Sequence, residues 1–187
     1  AQLQQEIIEA YDNYQFLNAY QKLHHFCNLD LGGIYLDIIK DRQYTTQSDS
    51  LARRSCQTAL YLIMEAMVRW MAPILSFTAE EIWKQLPGQR SESVHLEPWY
   101  QQLFELAGDE SMGREYWQQV LDVKTAVNKE LENQRNAGKV KSGLATDIVL
   151  YADNVQKGLL EQLGEELRFV LITSSARVEA LGDATGD

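Results

Sequence analysis

The chain has 187 residues, 45% of them hydrophobic, and a formal net charge of -10. That length accommodates one sizeable domain, or one domain with a small appendage. No apolar run approaches the roughly 18 residues that span a bilayer, and the mean hydropathy of -0.34 suits a soluble chain. So acidic a balance argues against a module that coats phosphate without selectivity, and any nucleic-acid contact must run through local cationic patches.

The first residue is Ala1, and the pattern is helical from the start without a signal-peptide layout, so the chain reads as a piece of a longer protein. Leu3, Ile7, Tyr11, Tyr14, Leu17 and His24 recur at three- and four-residue steps, which predicts one long helix over 2–27. A break at Asn28–Gly33 precedes a shorter helix, Ile34–Tyr44. The polar run TTQSDS then forms a loop in which Asp49 or Ser50 can cap the next helix. That helix carries a wide apolar stripe of Cys56, Ala59, Leu60, Ile63, Met67, Trp70 and Met71 and stops at Pro73. Glu65 and Arg69 form a favourable i,i+4 pair on its polar side.

Thr78 to Glu81 has the spacing of a capping box, starting a short helix that ends at Leu86-Pro87-Gly88. Residues 89–111 look irregular, with an extended piece at Val94–Leu96 and a wedge of aromatics at Trp99, Tyr100 and Phe104. A further helix runs from about Met112 to Asn136 with Tyr116, Val120, Val123, Val127 and Leu131 inward, and stops near Gly138. Ala145–Tyr151 reads as a strand, Val155–Leu163 as a helix and Leu167–Thr173 as a buried run of either type. Ala176–Ala180 is a second strand candidate. The expected architecture is mainly α: a helical bundle over 1–137, then a small α/β appendage over 138–187 with a flexible C-terminal tail.

Three segments carry a family likeness: YLDIIKDRQY at 35–44, ARRSCQTALYLIMEAMVRWMAPILSFTAEEIW at 52–83 and ELRFVLITSSARV at 166–178. They resemble bacterial isoleucyl-tRNA synthetases, in the helical anticodon-binding region that follows the catalytic domain of class I enzymes. The length of the 52–83 match favours the isoleucine family over its valyl and leucyl relatives. The family's HIGH and KMSKS signatures, its threonine-rich editing pocket and its cysteine-rich zinc module match nothing here. The resemblance therefore implies an anticodon-binding helical bundle that docks the anticodon arm of isoleucine tRNA. It implies no catalytic residue and no cofactor in this chain, ATP, magnesium and zinc belonging to other parts of the parent. The implied partners are that tRNA and the rest of the synthetase, with no membrane, a monomeric state and a cytoplasmic location. The alternatives are the equivalent domain of a valyl- or leucyl-tRNA synthetase, and an acidic helical protein-interaction module without RNA binding.

The candidate RNA-binding residues are Lys40, Arg42, Arg53, Arg54, Arg135, Lys139 and Lys141. Lys40 and Arg42 sit near a helix end, where cations also offset the helix dipole. Arg53 and Arg54 open a helix, where the dipole disfavours cations, so helix stability alone does not account for them. They become neighbours of Arg42 if the 45–51 loop folds back. Arg135, Lys139 and Lys141 flank the NAGKVKSG turn, a cationic loop suited to following a phosphate backbone or to serving as a solvated linker. Tyr35, Tyr44, Tyr61, Trp70, Trp83 and Trp99 invite base stacking, yet mostly occupy stripe or helix-end positions better explained as core. His24, His25 and Cys27 do not converge, because adjacent histidines point about 100° apart on a helix. Met64, Met67 and Met71 are core filler. Cys27 and Cys56, among apolar helical positions, suit reduced thiols in a cytosolic protein.

Overall fold

The computed structural model describes residues 1–106, 108 and 110–184. The chain forms two compact units, Ala1–Glu105 and Leu106–Asp187. The division lies at 105/106 rather than after residue 137, and the flexible tail expected at the end of the chain lies beyond the described residues at 185–187.

In the first unit, α1 (Gln2–Asp12) and α2 (Phe16–His25) pack against each other, with Ile7 and Ala10 of one and Ala19 and Leu23 of the other buried. The predicted continuous helix over 2–27 is thus broken. Tyr14 adopts the left-handed conformation at φ 57°, and the Asn13 side chain donates to the Glu9 carbonyl at 2.8 Å, closing α1. No Gly or Pro marks this turn, so periodicity carried through it. The break predicted at Asn28–Gly33 is instead a π-helical stretch, Phe26–Tyr35. Gly32 belongs there because a Cβ on it would lie 3.1 Å from the Cys27 carbonyl. The 34–44 helix is split at Ile39 into α3 (Leu36–Ile38) and α4 (Lys40–Tyr44).

Helix α5 (Leu51–Met71) is the spine of this unit. Ser50 caps it, its hydroxyl accepting from Arg53 N at 3.3 Å. Ala66, Met67, Val68, Trp70 and Met71 enter a core shared with Ile7, Leu23, Ala79, Trp83 and Val94. Polar atoms of the core aromatics are satisfied: Trp70 Nε1 donates to Gln4 Oε1 at 2.9 Å, and the Tyr11 hydroxyl to the Trp70 carbonyl at 2.7 Å. Burial pushes the Tyr11 hydroxyl up to about 12, and its ring stacks on Trp99 at 5.9 Å.

Helix α6 (Ser76–Gln85) starts two residues before the predicted capping box, which does not form. Glu80, on the same helix, ties the following loop to it, accepting from the Ser93 hydroxyl at 2.8 Å and from Val94 N at 3.3 Å. Val94–Leu96 is a 3-10 turn rather than an extended piece.

Glu65 and Arg69 make the expected pair, but inside the unit rather than on a polar face. Glu65 is 4% exposed. Its carboxylate accepts from Arg69 Nη1 at 2.7 Å and from Arg90 Nη2 at 2.5 Å. Arg69 also donates to Glu97 Oε2 at 3.0 Å and to the Pro98 carbonyl at 3.1 Å. Both guanidinium groups lie against Trp83, at 4.9 and 4.5 Å from the ring centroid. This cluster fastens the irregular 86–100 segment to α5 and borders a polar recess of about 270 Å³.

The second unit comprises α7 (Arg114–Asn136), β1 (Asp147–Ala152), α8 (Asn154–Glu161), α9 (Glu166–Leu171) and β2 (Ser175–Ala180). The strands pair in parallel, Asp147 opposite Ser175 through Ala152 opposite Ala180, with α8 and α9 forming the crossover. The run of uncertain type at 167–173 is therefore a helix ending at Ile172 in the left-handed conformation. Tyr116, Val120 and Val127 of α7 are buried in this unit, as are Leu160, Leu167, Val170 and Leu171. Lys124 is buried too, its Nζ donating to the Val170 carbonyl at 2.6 Å. Gly138, at φ 72°, receives the end of α7, as the sequence predicts.

The Glu65 cluster makes stability pH-dependent. Burial pushes the Glu65 carboxyl up, but hydrogen bonds from Arg90, Tyr61 and Arg69 outweigh it and hold the group at about 2, against 4.5 for a free glutamate. A depressed folded value stabilises the fold above the unfolded value, by about 3 kcal/mol, and that contribution drains away as pH falls through the folded one. Urea unfolding followed by tryptophan fluorescence should show this loss between about pH 5 and pH 2. Glu65→Gln should destabilise the first unit by roughly 3–5 kcal/mol at pH 7 and flatten that acid limb, because a buried pair has lost its carboxylate.

Candidate nucleic-acid interface

Most cations of the first unit are held by carboxylates. Lys22 pairs with Glu6, Lys40 with Asp37, Lys84 with Glu80, and Arg69 and Arg90 with Glu65. Arg53 and Arg54 meet no carboxylate among the described residues. They lie in the first turn of α5, which contains no acidic residue. Two cations at the positive end of a long helix, with nothing to offset them, are an electrostatic cost to the fold and an attraction for an external anion.

The two arginines differ. Arg54 is exposed. Arg53 is half-buried and turns back on its own chain, Nη1 donating to the Thr46 carbonyl at 3.0 Å, while its Nε is buried without a hydrogen-bond partner. Thr46 in turn donates to the Arg42 carbonyl at 2.6 Å and accepts from the Ser50 hydroxyl at 3.3 Å. The loop between α4 and α5 folds back, and Thr46 is the knot joining Arg42, Ser50 and Arg53. Arg42 is itself half-buried, close enough to Tyr35 to offset part of the rise that burial imposes on that phenol.

Lys40 is exposed and pairs with Asp37 at 2.5 Å, which raises its ammonium above the usual lysine range. Tyr44, one helical turn on, also acts on Lys40 electrostatically. Tyr44 is 83% exposed, which corrects its expected place in the core. Trp70 and Trp83 are buried as expected, and Tyr35 and Trp99 are half-buried. In the first unit, Lys40, Tyr44 and Arg54 are exposed, while Arg42 and Arg53 are half-buried and tied to Thr46.

In the second unit Arg135 is exposed and pairs with Glu132 at 2.6 Å. Lys139 lies within the field of Glu130, whose carboxyl is lowered first by hydrogen bonds from Gln134 and Asn133 and then by that lysine. Lys141 is exposed and makes no ion pair among the described residues. Among the described residues no group of three or more histidine, cysteine or acidic side chains is placed to hold a metal ion. Cys56 is buried, Cys27 is half-buried, and both are free thiols. No helix among the described residues is long and apolar enough to cross a membrane.

The feature that sequence reading missed is the Arg90 half of the buried cluster. Glu65 and Arg69 announce themselves by spacing, whereas Arg90 returns from a loop 25 residues away with no periodic signal.

A mainly helical module with a local cation-and-aromatic surface on an acidic body is the class that this fold and surface define. The chain belongs to the family described as the anticodon-binding domain of tRNA ligase, which matches residues 1–150. The isoleucine–tRNA ligase of Marinomonas sp. (strain MWYL1) is 60% identical over 187 residues, covering 100% of this chain and 20% of that protein. The enzyme of the same name from Alcanivorax borkumensis is 59% identical over 186 residues, and that of Stutzerimonas stutzeri 60% over 185. The chain spans about one-fifth of the length of these relatives.

The arginines should separate in a stability assay. Arg53→Ala should cost about 1 kcal/mol by freeing the 45–50 loop, while Arg54→Ala should stay within about 0.5 kcal/mol of the parent. Thermal unfolding of the two variants checks both.

Proposed function

We propose that this chain is the part of an isoleucine–tRNA ligase that docks the anticodon arm of isoleucine tRNA. The observation that carries this reading is the pair Arg53–Arg54, without carboxylate partners among the described residues of a protein of net charge -10, in a chain of the anticodon-binding family. Arg54 and Lys40 meet phosphate oxygens and set the register of the arm. Phosphate contacts of this kind position the nucleic acid without reading sequence. Tyr44 stacks on an unpaired base beside them, a contact open to any base and stronger than the exposed ring otherwise justifies. Arg53 and Thr46 hold the loop that places these groups. Lys139 and Lys141, with Arg135, supply a second phosphate contact.

The catalytic steps, with ATP, magnesium and zinc, lie in parts of the parent polypeptide outside these 187 residues, which act with this chain as its partner in cis. The parent works as a monomer in the cytoplasm. Acidity elsewhere on the surface limits binding to RNAs that engage the patches.

The test is a salt-series titration with isoleucine tRNA and with the same tRNA carrying an altered anticodon. Salt-sensitive binding that weakens with the altered anticodon supports the proposal. Equal binding to both reduces the chain to a backbone clamp, and absence of binding at low salt favours the acidic protein-interaction module. Arg54→Glu should weaken binding to both tRNAs alike and lower the salt slope by about 1. Tyr44→Ala should weaken binding by about 1–3 kcal/mol with the salt slope unchanged, as loss of a stacking contact does.

A further inference from the structure

The second unit contains an apolar groove of about 690 Å³ that the anticodon-docking reading does not use. One wall is α7, which contributes a stripe from Gln119 to Gln134, including Val123, Ala126 and Leu131. At 1.5 Å per residue that stripe is about 22 Å long. Leu159 and Leu160 of α8 close one side, and β1 lies along the other.

Successive side chains of a strand point to opposite faces, and Ile148, Val149 and Leu150 line the groove. Thr146 lines it too, so Thr146, Ile148 and Leu150 present one face of the strand to the groove, with Val149 between them. One edge of β1 is paired with β2, and the sheet has two strands among the described residues, so the other edge carries no strand. A parallel pair left at two strands is unusual, since parallel sheets are extended and covered on both faces. An open, apolar edge is also a template for pairing with another segment.

We propose that β1 accepts a third strand, supplied by a segment of the full-length polypeptide outside these 187 residues. The dimensions match: β1 has six residues, about 20 Å of strand, against about 22 Å of helical wall. The added strand satisfies the open backbone edge and places alternate side chains against the apolar wall, the strand-addition mode of recognition. Asp122 and Glu130 sit on the rim, so the incoming segment is extended, apolar at alternate positions, and carries lysine or arginine opposite those carboxylates. The relatives are about five times as long as this chain, so such a segment is available in cis at high effective concentration. A second copy fits poorly, because a two-fold contact brings Asp122 and Glu130 of both copies to the same seam.

The test uses the full-length polypeptide. Residue-resolved amide exchange reports on both edges of β1, since alternate amides of a strand point to opposite edges. Protection of consecutive amides from 148 to 152 is expected, and protection of every second amide alone overturns the proposal. A photoreactive benzoylphenylalanine in place of Ala126, which lines the groove, identifies the occupant. A cross-link within one polypeptide to a segment outside these 187 residues is expected. A link to a second copy, to a residue of this chain, or to nothing overturns it. A cross-link in cis without consecutive protection likewise overturns it, because the segment is then a cover and not a strand.

Discussion

A single buried carboxylate organises the first unit. Glu65 sits on α5 among Ala66, Met67 and Val68, where a lone charge is untenable, and the fold answers with two guanidinium groups. Arg69 comes from the same helix. Arg90 has to be brought back by the loop after α6, and that requirement sets where the loop runs. Glu97, the Pro98 carbonyl and the Trp83 ring then find their partners on the same two arginines. Through Trp83 the cluster also fixes α6 against α5, so the helical core and the irregular segment share one electrostatic fastening.

The same arrangement explains which cations remain for other work. Five cations of the first unit are drawn into pairs with carboxylates. Arg53 and Arg54 are not, and they stand where the dipole of α5 is least favourable to them. Within the first unit, this leaves two adjacent cations without a carboxylate at one helix end. The loop joining α4 to α5 is tied together at Thr46, which bonds to Arg42, Ser50 and Arg53. Preorganisation of this kind lets a small number of contacts select a shape without a basic surface overall.

The two units use different means to bury apolar surface. The first wraps helices around α5, interrupted at Tyr14 without a glycine and in the π-helical stretch that contains Gly32 and Gly33. The second folds a long helix against a minimal sheet and leaves part of α7 and one edge of β1 open. An apolar surface of that extent is costly in water, so its persistence points outward, to whatever covers it.

Periodicity made the long elements legible: α5 with its serine cap, α7 ending at Gly138, and the two strands all lie close to where spacing and β-branched composition put them. These features are local, so the residues that encode them also contain them. The family likeness, carried by contiguous motifs, was legible for the same reason. The misreadings share the opposite cause. The turn at Tyr14 depends on a backbone angle no residue type announced. The capping box at Thr78 does not form because α6 already begins at Ser76, which places Thr78 and Glu81 inside the helix. Glu65 looked like a surface partner of Arg69 until Arg90 arrived from a distant loop and made burial possible. At the candidate interface, composition and spacing named the cations, but only packing separated Arg53, spent on the Thr46 carbonyl, from Arg54, left in solvent. Sequence determines which residues are able to form elements and carry charge. Which charges are neutralised, and which remain to meet a partner, is decided by chain segments that meet only in the folded state.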